Sequence, residues 1–229
     1  MELAKPALDV GLYTNQLEAS MAFWQEQAQV PYDELLKLGG GAHQHRHKIG
    51  DSILKINNTR EPIAAGQPTG LQRLLLHTSA FEKTRDLTDP DGNLVTLKPA
   101  SVSFAASSEA DRNLTLMLKC NHLAASQDFY GEVLGLQNAA DNEFRVGASA
   151  IQLEPGEVGP FDRAGIGYRY MTVQVFDVVA EHRNIIAKGG REGMPPTRLG
   201  EVAYISFVLD PDGNWIEISQ RKSITGSLD

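Results

Sequence analysis

The fold is decided by one stretch of the chain, Asp210-Pro211-Asp212-Gly213-Asn214-Trp215-Ile216-Glu217-Ile218. Its first five residues are typical of a tight turn, because proline and glycine favour the turn backbone while aspartate and asparagine side chains bond to it. The residues that follow predict a strand whose isoleucines, Ile216 and Ile218, face a core. Glu217 then projects from the opposite face, where its carboxylate would meet solvent, a cation or a ligand cavity.

The same turn occurs earlier in the chain, at Asp89–Leu97, and other segments recur with it. Lys48–Ile56 matches a segment that begins 97 residues later at Arg145, and both copies predict a strand, a glycine turn and a second strand. Leu8–Trp24 matches Leu114–Tyr130, and both predict a strand followed by an amphipathic helix. The chain is therefore predicted to be an internal duplication.

The two copies differ in length just before the repeated turn, since the turns lie 121 residues apart. The second copy has room there for a helix at Val178–Lys188, closed by glycine, and for a strand at Val202–Leu209. The first half is predicted to lack that helix and one strand. Two domains are expected, at residues 1–100 and 113–221, joined by a small and polar linker at 100–112.

The order of strand, Leu-x-x-Ser-x-x-Phe-Tyr helix, glycine-turn strand and DPDGN-x-x-Glu strand resembles the vicinal oxygen chelate superfamily. That superfamily includes glyoxalase I, bleomycin-resistance proteins and extradiol ring-cleaving dioxygenases. The resemblance covers nearly the whole chain and implies an α+β fold. In it, tandem βαβββ modules form two cup-shaped, half-barrel mixed sheets with helices packed outside. We expect each half of the chain to form one cup.

In metal-dependent members of this superfamily, a divalent ion is held by residues from the first and fourth strands of two paired units. The resemblance puts eight residues at such positions: Thr115, Gln152, Tyr170 and Glu217 in the second half, and Asp9, Lys55, Arg73 and Thr96 in the first. The second set keeps Glu217 and Gln152 as candidate metal ligands. The first set carries two cations, Lys55 and Arg73, which would repel a metal ion. They are expected to pair with Asp9 or to hold a bound carboxylate or phosphate, and pairing with Asp9 is the preferred interpretation.

Strand phase predicts that the second set converges on one cavity. Glu217 and Tyr170 are the candidate catalytic residues, with Glu217 suited to act as a general base. Thr115, Gln152 and Arg169 are the candidate substrate-binding residues. Two alternatives stay open: Glu217 could be neutralised by Arg169, and Tyr170 and Gln152 could form an internal hydrogen-bond network.

Three alternating histidines on one predicted strand could bind a transition metal: His43, His45 and His47. Alignment with the second half argues against it, because the register directs Gln44, Arg46 and Lys48 toward the first cup. An incidental polar edge strand is the preferred interpretation.

Composition limits the remaining functions. A net charge of −8 without a basic block argues against nucleic-acid partners, and no apolar stretch approaches the ~20 residues of a membrane span. The single cysteine, Cys120, and the absence of a signal-like start lead us to expect a cytoplasmic protein.

The expected function is binding of a small molecule in the second-half cup without the usual metal triad. The alternatives are a metal-dependent lyase, isomerase or extradiol-type dioxygenase, and a non-catalytic structural or partner-binding protein. The sequence leaves open whether the protein uses no cofactor or one divalent metal ion, which would be Fe, Mn, Ni or Zn. It also leaves open whether the protein forms a homodimer.

Overall fold

The computed structural model describes residues 1–100 and 113–228. The linker predicted at 100–112 therefore lies almost entirely outside the described residues. Fifteen strands and four α-helices make up the described part. The strands are β1 (Leu3–Tyr13), β2 (Tyr32–Gly39), β3 (Ala42–Ile49), β4 (Ser52–Asn58), β5 (Leu71–Thr78), β6 (Arg85–Thr88), β7 (Leu94–Pro99), β8 (Leu114–Cys120), β9 (Gln137–Ala140), β10 (Glu143–Val146), β11 (Ser149–Pro155), β12 (Gly167–Val175), β13 (Arg191–Leu199), β14 (Ala203–Leu209) and β15 (Trp215–Arg221).

The helices are short: α1 (Leu17–Ala22), α2 (Leu123–Asp128), α3 (Val178–Ala187) and α4 (Lys222–Thr225). A π-helical turn extends α1 over Phe23–Gln27 and another extends α2 over Phe129–Val133. The start of α3 is capped by Asp177, whose side chain accepts a hydrogen bond of 2.9 Å from the backbone of Ala180. Among the described residues, no helix combines the length and the apolar character needed to cross a bilayer.

Four units follow one another along the chain. Unit 1 runs from β1 to β4, unit 2 from β5 to β7, unit 3 from β8 to β11, and unit 4 from β12 to β15. The helix predicted at Val178–Lys188 is confirmed as α3. Between β5 and β7, unit 2 has only the short strand β6, so the predicted loss of a helix and a strand from the first half is also confirmed.

The units pair across the two halves of the chain. The eight-stranded sheet has the order β13-β14-β15-β12-β1-β4-β3-β2, so it joins unit 4 to unit 1. The seven-stranded sheet has the order β6-β7-β5-β8-β11-β10-β9, so it joins unit 2 to unit 3. The expectation of a cup built within the second half is therefore wrong. Each unit exposes the edge of its first strand, and the repeat pattern does not say which other unit covers that edge.

The floor of the eight-stranded sheet has approximate two-fold symmetry. Strands β1 and β12 lie antiparallel, with Asp9 opposite Thr172. On one side β4 runs parallel to β1, with Lys55 beside Gly11, and on the other side β15 runs parallel to β12, with Glu217 beside Thr172. Because these residues alternate with buried apolar neighbours, their side chains share the concave face.

The helix-covered face of the same sheet is a continuous apolar layer. Leu8, Val10 and Leu12 of β1 are fully or almost fully buried there, as are Met171 and Val173 of β12. Removing such a side chain from water is worth roughly 1.5–3 kcal/mol. This layer fixes the strand phase, and the strand phase in turn decides which side chains reach the concave face.

Candidate functional site

The concave face of the eight-stranded sheet, called the central cup below, encloses a cavity of about 370 Å³. Glu217 and Tyr170 both line it, as the alternation along β15 and β12 predicts. Unit 1 supplies the opposite wall, including Lys55, Asn57 and Arg46. The site is therefore shared between the first and last units of the chain.

A buried ion pair lies at the centre of the cup. The Lys55 ammonium, on a residue only 3% exposed, lies 2.8 Å from Glu217 Oε2 and donates to Thr172 Oγ1 over 2.7 Å. The Thr172 hydroxyl in turn donates to the same Glu217 oxygen over 2.7 Å. Glu217 Oε2 thus takes both bonds, and no hydrogen bond to Glu217 Oε1 is found among the described residues.

Tyr170 lies beside this ion pair, with Lys55 Nζ 5.4 Å from the centre of its ring. Its hydroxyl oxygen accepts hydrogen bonds from Asn57 Nδ2 over 3.2 Å and from Gln44 Nε2 over 3.4 Å. Burial, followed by the nearby Glu217 carboxylate, raises the pKa of the Tyr170 phenol well above its usual value. The phenol therefore stays neutral at ordinary pH.

Two further arginines approach each other where the sheet curls. Glu34 Oε1 of β2 forms ion pairs with both, at 3.2 Å from Arg46 Nε and 3.6 Å from Arg221 Nη2. Burial lowers the pKa of Arg221, and the adjacent Arg46 guanidinium contributes to the same shift. One half-exposed carboxylate is shared by two largely buried cations, so this end of the cavity keeps an excess of positive charge.

The other side of the cavity is apolar and aromatic. Arg163, from the loop before β12, lies over the rings of Phe207 and Trp215 at 5.3 and 5.2 Å. Tyr13 lies 6.3 Å from Tyr170, centre to centre, and burial raises its pKa. Several aliphatic residues complete this wall: Leu36, Leu38, Leu199, Val202, Ala203 and Ile205.

Two predicted site residues lie elsewhere. Thr115 on β8 and Gln152 on β11 belong to the seven-stranded sheet, so their predicted convergence with Glu217 and Tyr170 is wrong. The Gln152 amide donates to the backbone carbonyls of Asp141 and Leu153, each over 3.4 Å. Thr115 is buried against β5. The physical reason is the cross-half pairing, which carries unit 3 away from unit 4.

Arg169 does not contribute to the central cup, because it points to the opposite face of β12 from Tyr170. It is 1% exposed, and its guanidinium donates to the backbone carbonyls of Ala65, Gln67 and Ile166 over 2.6 to 3.0 Å. It therefore neither neutralises Glu217 nor faces the cavity. It ties the loop between units 1 and 2 to the start of unit 4.

The expected partners of the two first-half cations are also wrong. Lys55 pairs with Glu217, whereas Arg73 lies in the other sheet and bonds to Asp86 at 2.6 Å and to Thr96 at 2.7 Å. Asp9 pairs instead with Lys5, and its Oδ1 accepts from the backbone of Ile53 over 2.8 Å. Lys55 and Glu217 pair because unit 1 lies against unit 4, whereas the sequence prediction considered ion pairs only within one half of the chain.

The cross-half pairing puts Asp9, Lys55, Tyr170 and Glu217 at the four positions that the resemblance assigns to metal ligands. These residues do not fit a divalent cation. Lys55 carries its own positive charge into the site and bonds to Glu217, the best candidate ligand. Gln152, the other proposed ligand, lies in the second sheet and cannot share an ion with Glu217. Within residues 1–100 and 113–228, no cluster of three or more His, Cys, Asp or Glu side chains is arranged to hold a metal ion.

The histidine strand β3 divides between its two faces. Gln44 and Arg46 face the concave side, as the register predicted, but the cup they line is the central cup and not a cup of the first half. Lys48 is exposed and pairs with Asp33 at 3.0 Å. His47 is fully buried on the helix-covered side, and burial lowers its pKa to about 4.

The sequence-based site omitted the whole contribution of unit 1. Lys55, Asn57, Gln44 and Arg46 come from β3 and β4, and they supply most of the polar wall that faces Glu217. One signal could have found them. Lys55 and Glu217 occupy matching positions in their units, so their opposite charges indicated a pairing between unit 1 and unit 4.

Comparisons with known proteins agree with this architecture. A sequence model of the Glyoxalase/Bleomycin resistance protein/Dioxygenase superfamily matches residues 114–218. A "Probable lactoylglutathione lyase" of Vibrio parahaemolyticus is 31% identical over 135 residues, which cover 52% of this chain and 96% of that protein. A "Lactoylglutathione lyase" of Haemophilus influenzae is 30% identical over 133 residues, which cover 50% of this chain and 96% of that protein.

The crystal structure of glyoxalase I from Zea mays superposes with a TM-score of 0.73. The match covers 96% of this chain and 92% of that one at 13% sequence identity. At that identity the likeness establishes a shared fold and leaves the chemistry of the site to be argued from its own residues.

Proposed function

The chain belongs to the glyoxalase/bleomycin resistance protein/dioxygenase superfamily, and on that basis we propose that it binds a small organic anion in the central cup. The observation that carries the proposal is the charge of the cavity wall. Four cations, Arg46, Lys55, Arg163 and Arg221, line the cavity against one carboxylate, Glu217, within the described residues. The whole chain, by contrast, has a net charge of −8.

Concentrating cations in a concave site of an acidic protein is costly unless an anion binds there. Like charges repel more strongly in a partly dry cavity than in water, and Arg221 has its pKa lowered by burial and by Arg46. A bound carboxylate or phosphate would relieve that repulsion and would also accept charge-assisted hydrogen bonds.

The rest of the wall supports an organic rather than an inorganic anion. Phe207, Tyr13 and the aliphatic side chains of β2, β13 and β14 add apolar surface to the same cavity. The cavity, at about 370 Å³, is near the lower end of ordinary ligand sites. It suits a molecule with an anionic head and a short apolar body, such as an aryl or alkyl carboxylate.

The experiment is a titration with matched probes of one hydrocarbon skeleton: 4-phenylbutanoate, 4-phenylbutanol and 4-phenylbutylamine. Calorimetry is expected to show binding of the carboxylate, weaker binding of the alcohol and none of the amine. Arg46→Gln should lower the affinity for the carboxylate, while Arg73→Gln, in the other sheet, should leave that affinity unchanged. Binding of the amine as tightly as the carboxylate, or failure of the carboxylate to bind, would refute an anion site.

A second candidate is proton transfer on the bound anion. The observation that favours it is the Oε1 atom of Glu217, for which the described part of the chain offers no hydrogen bond. Oε2 of the same carboxylate, which lines the cavity, is held by Lys55 and Thr172. A carboxylate held in this way could accept a proton from a carbon acid, and two relatives carry the name lactoylglutathione lyase. Deuterium uptake from D₂O into 2-oxo-4-phenylbutanoate at C3, lost in Glu217→Gln, would support it. Exchange no faster than in buffer would reject it.

A further inference from the structure

We propose that the Tyr170 hydroxyl and the Lys55 ammonium together form a two-donor subsite that selects ligands by an oxygen able only to accept hydrogen bonds. The ligand group that fits is a carboxylate or a ketone. Hydroxyl and ammonium groups would be disfavoured there. This inference rests on the proposed function, because it names the group by which the central cup would hold its ligand.

The direction of the hydrogen bonds around Tyr170 is fixed from both ends. At one end, Asn57 Nδ2 donates to the backbone carbonyls of Leu12 over 2.8 Å and of Lys55 over 3.2 Å, so its amino group must lie on that side. Asn57 Oδ1 then accepts from Gln44 Nε2 over 3.0 Å. At the other end, Gln44 Oε1 accepts from Arg46 Nη1 over 3.3 Å, and arginine can only donate.

Both amides therefore turn their nitrogen, not their oxygen, toward the phenol, at 3.2 and 3.4 Å. Asn57 Nδ2 has three acceptors for two hydrogens, so its bond to the phenol is a shared one, and neither amide nitrogen can accept the phenol hydrogen. The Tyr170 oxygen acts as an acceptor in both bonds, and its own hydrogen must point elsewhere. Among the described residues no acceptor for that hydrogen is found, and Tyr170 lines the cavity. The hydroxyl hydrogen is thus free to bond to a ligand.

The position of the ring is fixed by the absence of a side chain at Gly11. A Cβ atom at Gly11 would lie 2.1 Å from the Tyr170 ring, so the ring rests directly on the backbone of β1. Such a contact leaves little freedom for the ring to swing out of the cup. Gln44 and Asn57 are positioning residues in this scheme, since they orient the phenol without meeting the ligand's head group.

Lys55 supplies the second donor. Two of its three N–H groups bond to Thr172 and Glu217, and the third has no acceptor within the described part of the chain. Lys55 Nζ lies 5.4 Å from the Tyr170 ring centre, and both residues line the cavity. A carboxylate could accept from both groups at once, whereas an alcohol that accepts from both would leave its own hydrogen to find a third partner, and an ammonium group has no lone pair with which to accept.

The first test compares the same substitution on the two faces of β12. Tyr170→Phe is expected to lower the affinity for 4-phenylbutanoate by about 10-fold or more, because it removes a hydrogen bond to a charged group. Tyr168→Phe removes a hydroxyl that bonds to the Leu94 carbonyl at 3.2 Å on the opposite face, and it should leave the affinity unchanged. Unchanged affinity in Tyr170→Phe would overturn the subsite while leaving the anion site standing.

The second test reverses the direction of the hydrogen bond between Asn57 and Tyr170. Asn57→Asp places an acceptor beside the phenol, which would draw the Tyr170 hydrogen away from the cavity. Neutral probes avoid the added charge, so displacement of the carboxylate by 4-phenyl-2-butanone and by 4-phenyl-2-butanol is measured. The ratio of ketone to alcohol affinity should fall several-fold, which a loss of stability alone would not produce. An unchanged ratio would contradict the claim that Asn57 directs the Tyr170 hydrogen into the cavity.

A neutron structure of the ligand-free protein tests the same point without any ligand. We expect the deuterium on the Tyr170 oxygen to point into the cavity. Deuterium directed at a side-chain oxygen of Gln44 or Asn57 would overturn the inference whether or not carboxylates bind. Correct orientation together with no carboxylate binding would reject the proposed function instead.

Discussion

The buried ion pair between Lys55 and Glu217 gives the sharpest test of the central cup. Replacing Lys55 by methionine keeps much of the side-chain volume but removes the charge 2.8 Å from the Glu217 carboxylate. Two unit charges at that distance attract by about 6 kcal/mol at an effective dielectric constant of 20. Much of that attraction offsets the cost of burying both groups, so the net loss is smaller.

We expect Lys55→Met to lower the free energy of unfolding by about 3 kcal/mol, the lower end of the range for breaking a buried pair. The lower end applies because Glu217 borders the cavity, where water can replace part of the lost contact. Glu217→Gln in the same background should restore a large part of the loss, since it removes the uncompensated carboxylate.

The assay is urea unfolding of the wild type, both single variants and the double variant. A coupling energy of about 2 kcal/mol is expected from a shared network of this kind. Lys48→Met is the matched control. It lies on the neighbouring strand β3, its side chain is 58% exposed, and its pair with Asp33 should matter by less than about 0.5 kcal/mol. Single losses that add within about 0.5 kcal/mol would show that the two groups act independently and would refute the reasoning.

Three further changes have definite expected outcomes. Gly11→Ala would place a methyl group 2.1 Å from the cavity tyrosine, so it should cost about 1–3 kcal/mol of stability in a urea titration, whereas Gly131→Ala, with 3.4 Å of clearance, should cost little. Arg169→Met leaves three backbone carbonyls without their donor and should speed amide hydrogen exchange in the loop at 65–67, an effect that Arg73→Met should not have. His47 has its folded-state pKa lowered to about 4, so the unfolded chain binds the extra proton first and stability should fall as pH drops from about 6.5 towards 4. His47→Phe should flatten that part of a plot of melting temperature against pH, and an identical acid dependence in both proteins would contradict the assignment.

Much of the fold followed from local pattern. The glycine turns, the amphipathic helices and the alternating strands depend on neighbouring residues, so the repeat boundaries and the helix at Val178–Lys188 could be predicted. The orientation of Glu217 followed for the same reason, because Ile216 and Ile218 must reach the core. Each of these features is decided within one unit of the chain.

The choice of partner unit could not be predicted in that way. Whether the edge of β12 is covered by β8 or by β1 depends on loop lengths and on side chains far apart in sequence. Gln152 and Thr115 were assigned to the wrong cavity for this reason. The alternation along their strands was predicted correctly, since the neighbouring residues Ile151 and Leu116 are buried. Arg169 was misassigned for a different reason: adjacent residues on a strand point to opposite faces, so it could not share a cavity with Tyr170.

The pairing of the first unit with the last has a consequence for synthesis. Strand β1 is complete at Tyr13, but its partner β12 begins only at Gly167, and the opposite cup wall ends at Arg221. At roughly 5–20 residues per second, the edge of β1 that faces β12 stays uncovered for about 8 to 30 seconds after it is made. Units 2 and 3 can close their own sheet during that interval. The central cup can therefore be completed only after β15 has been made, when every strand of the seven-stranded sheet is already available, and its binding residues come together late in translation.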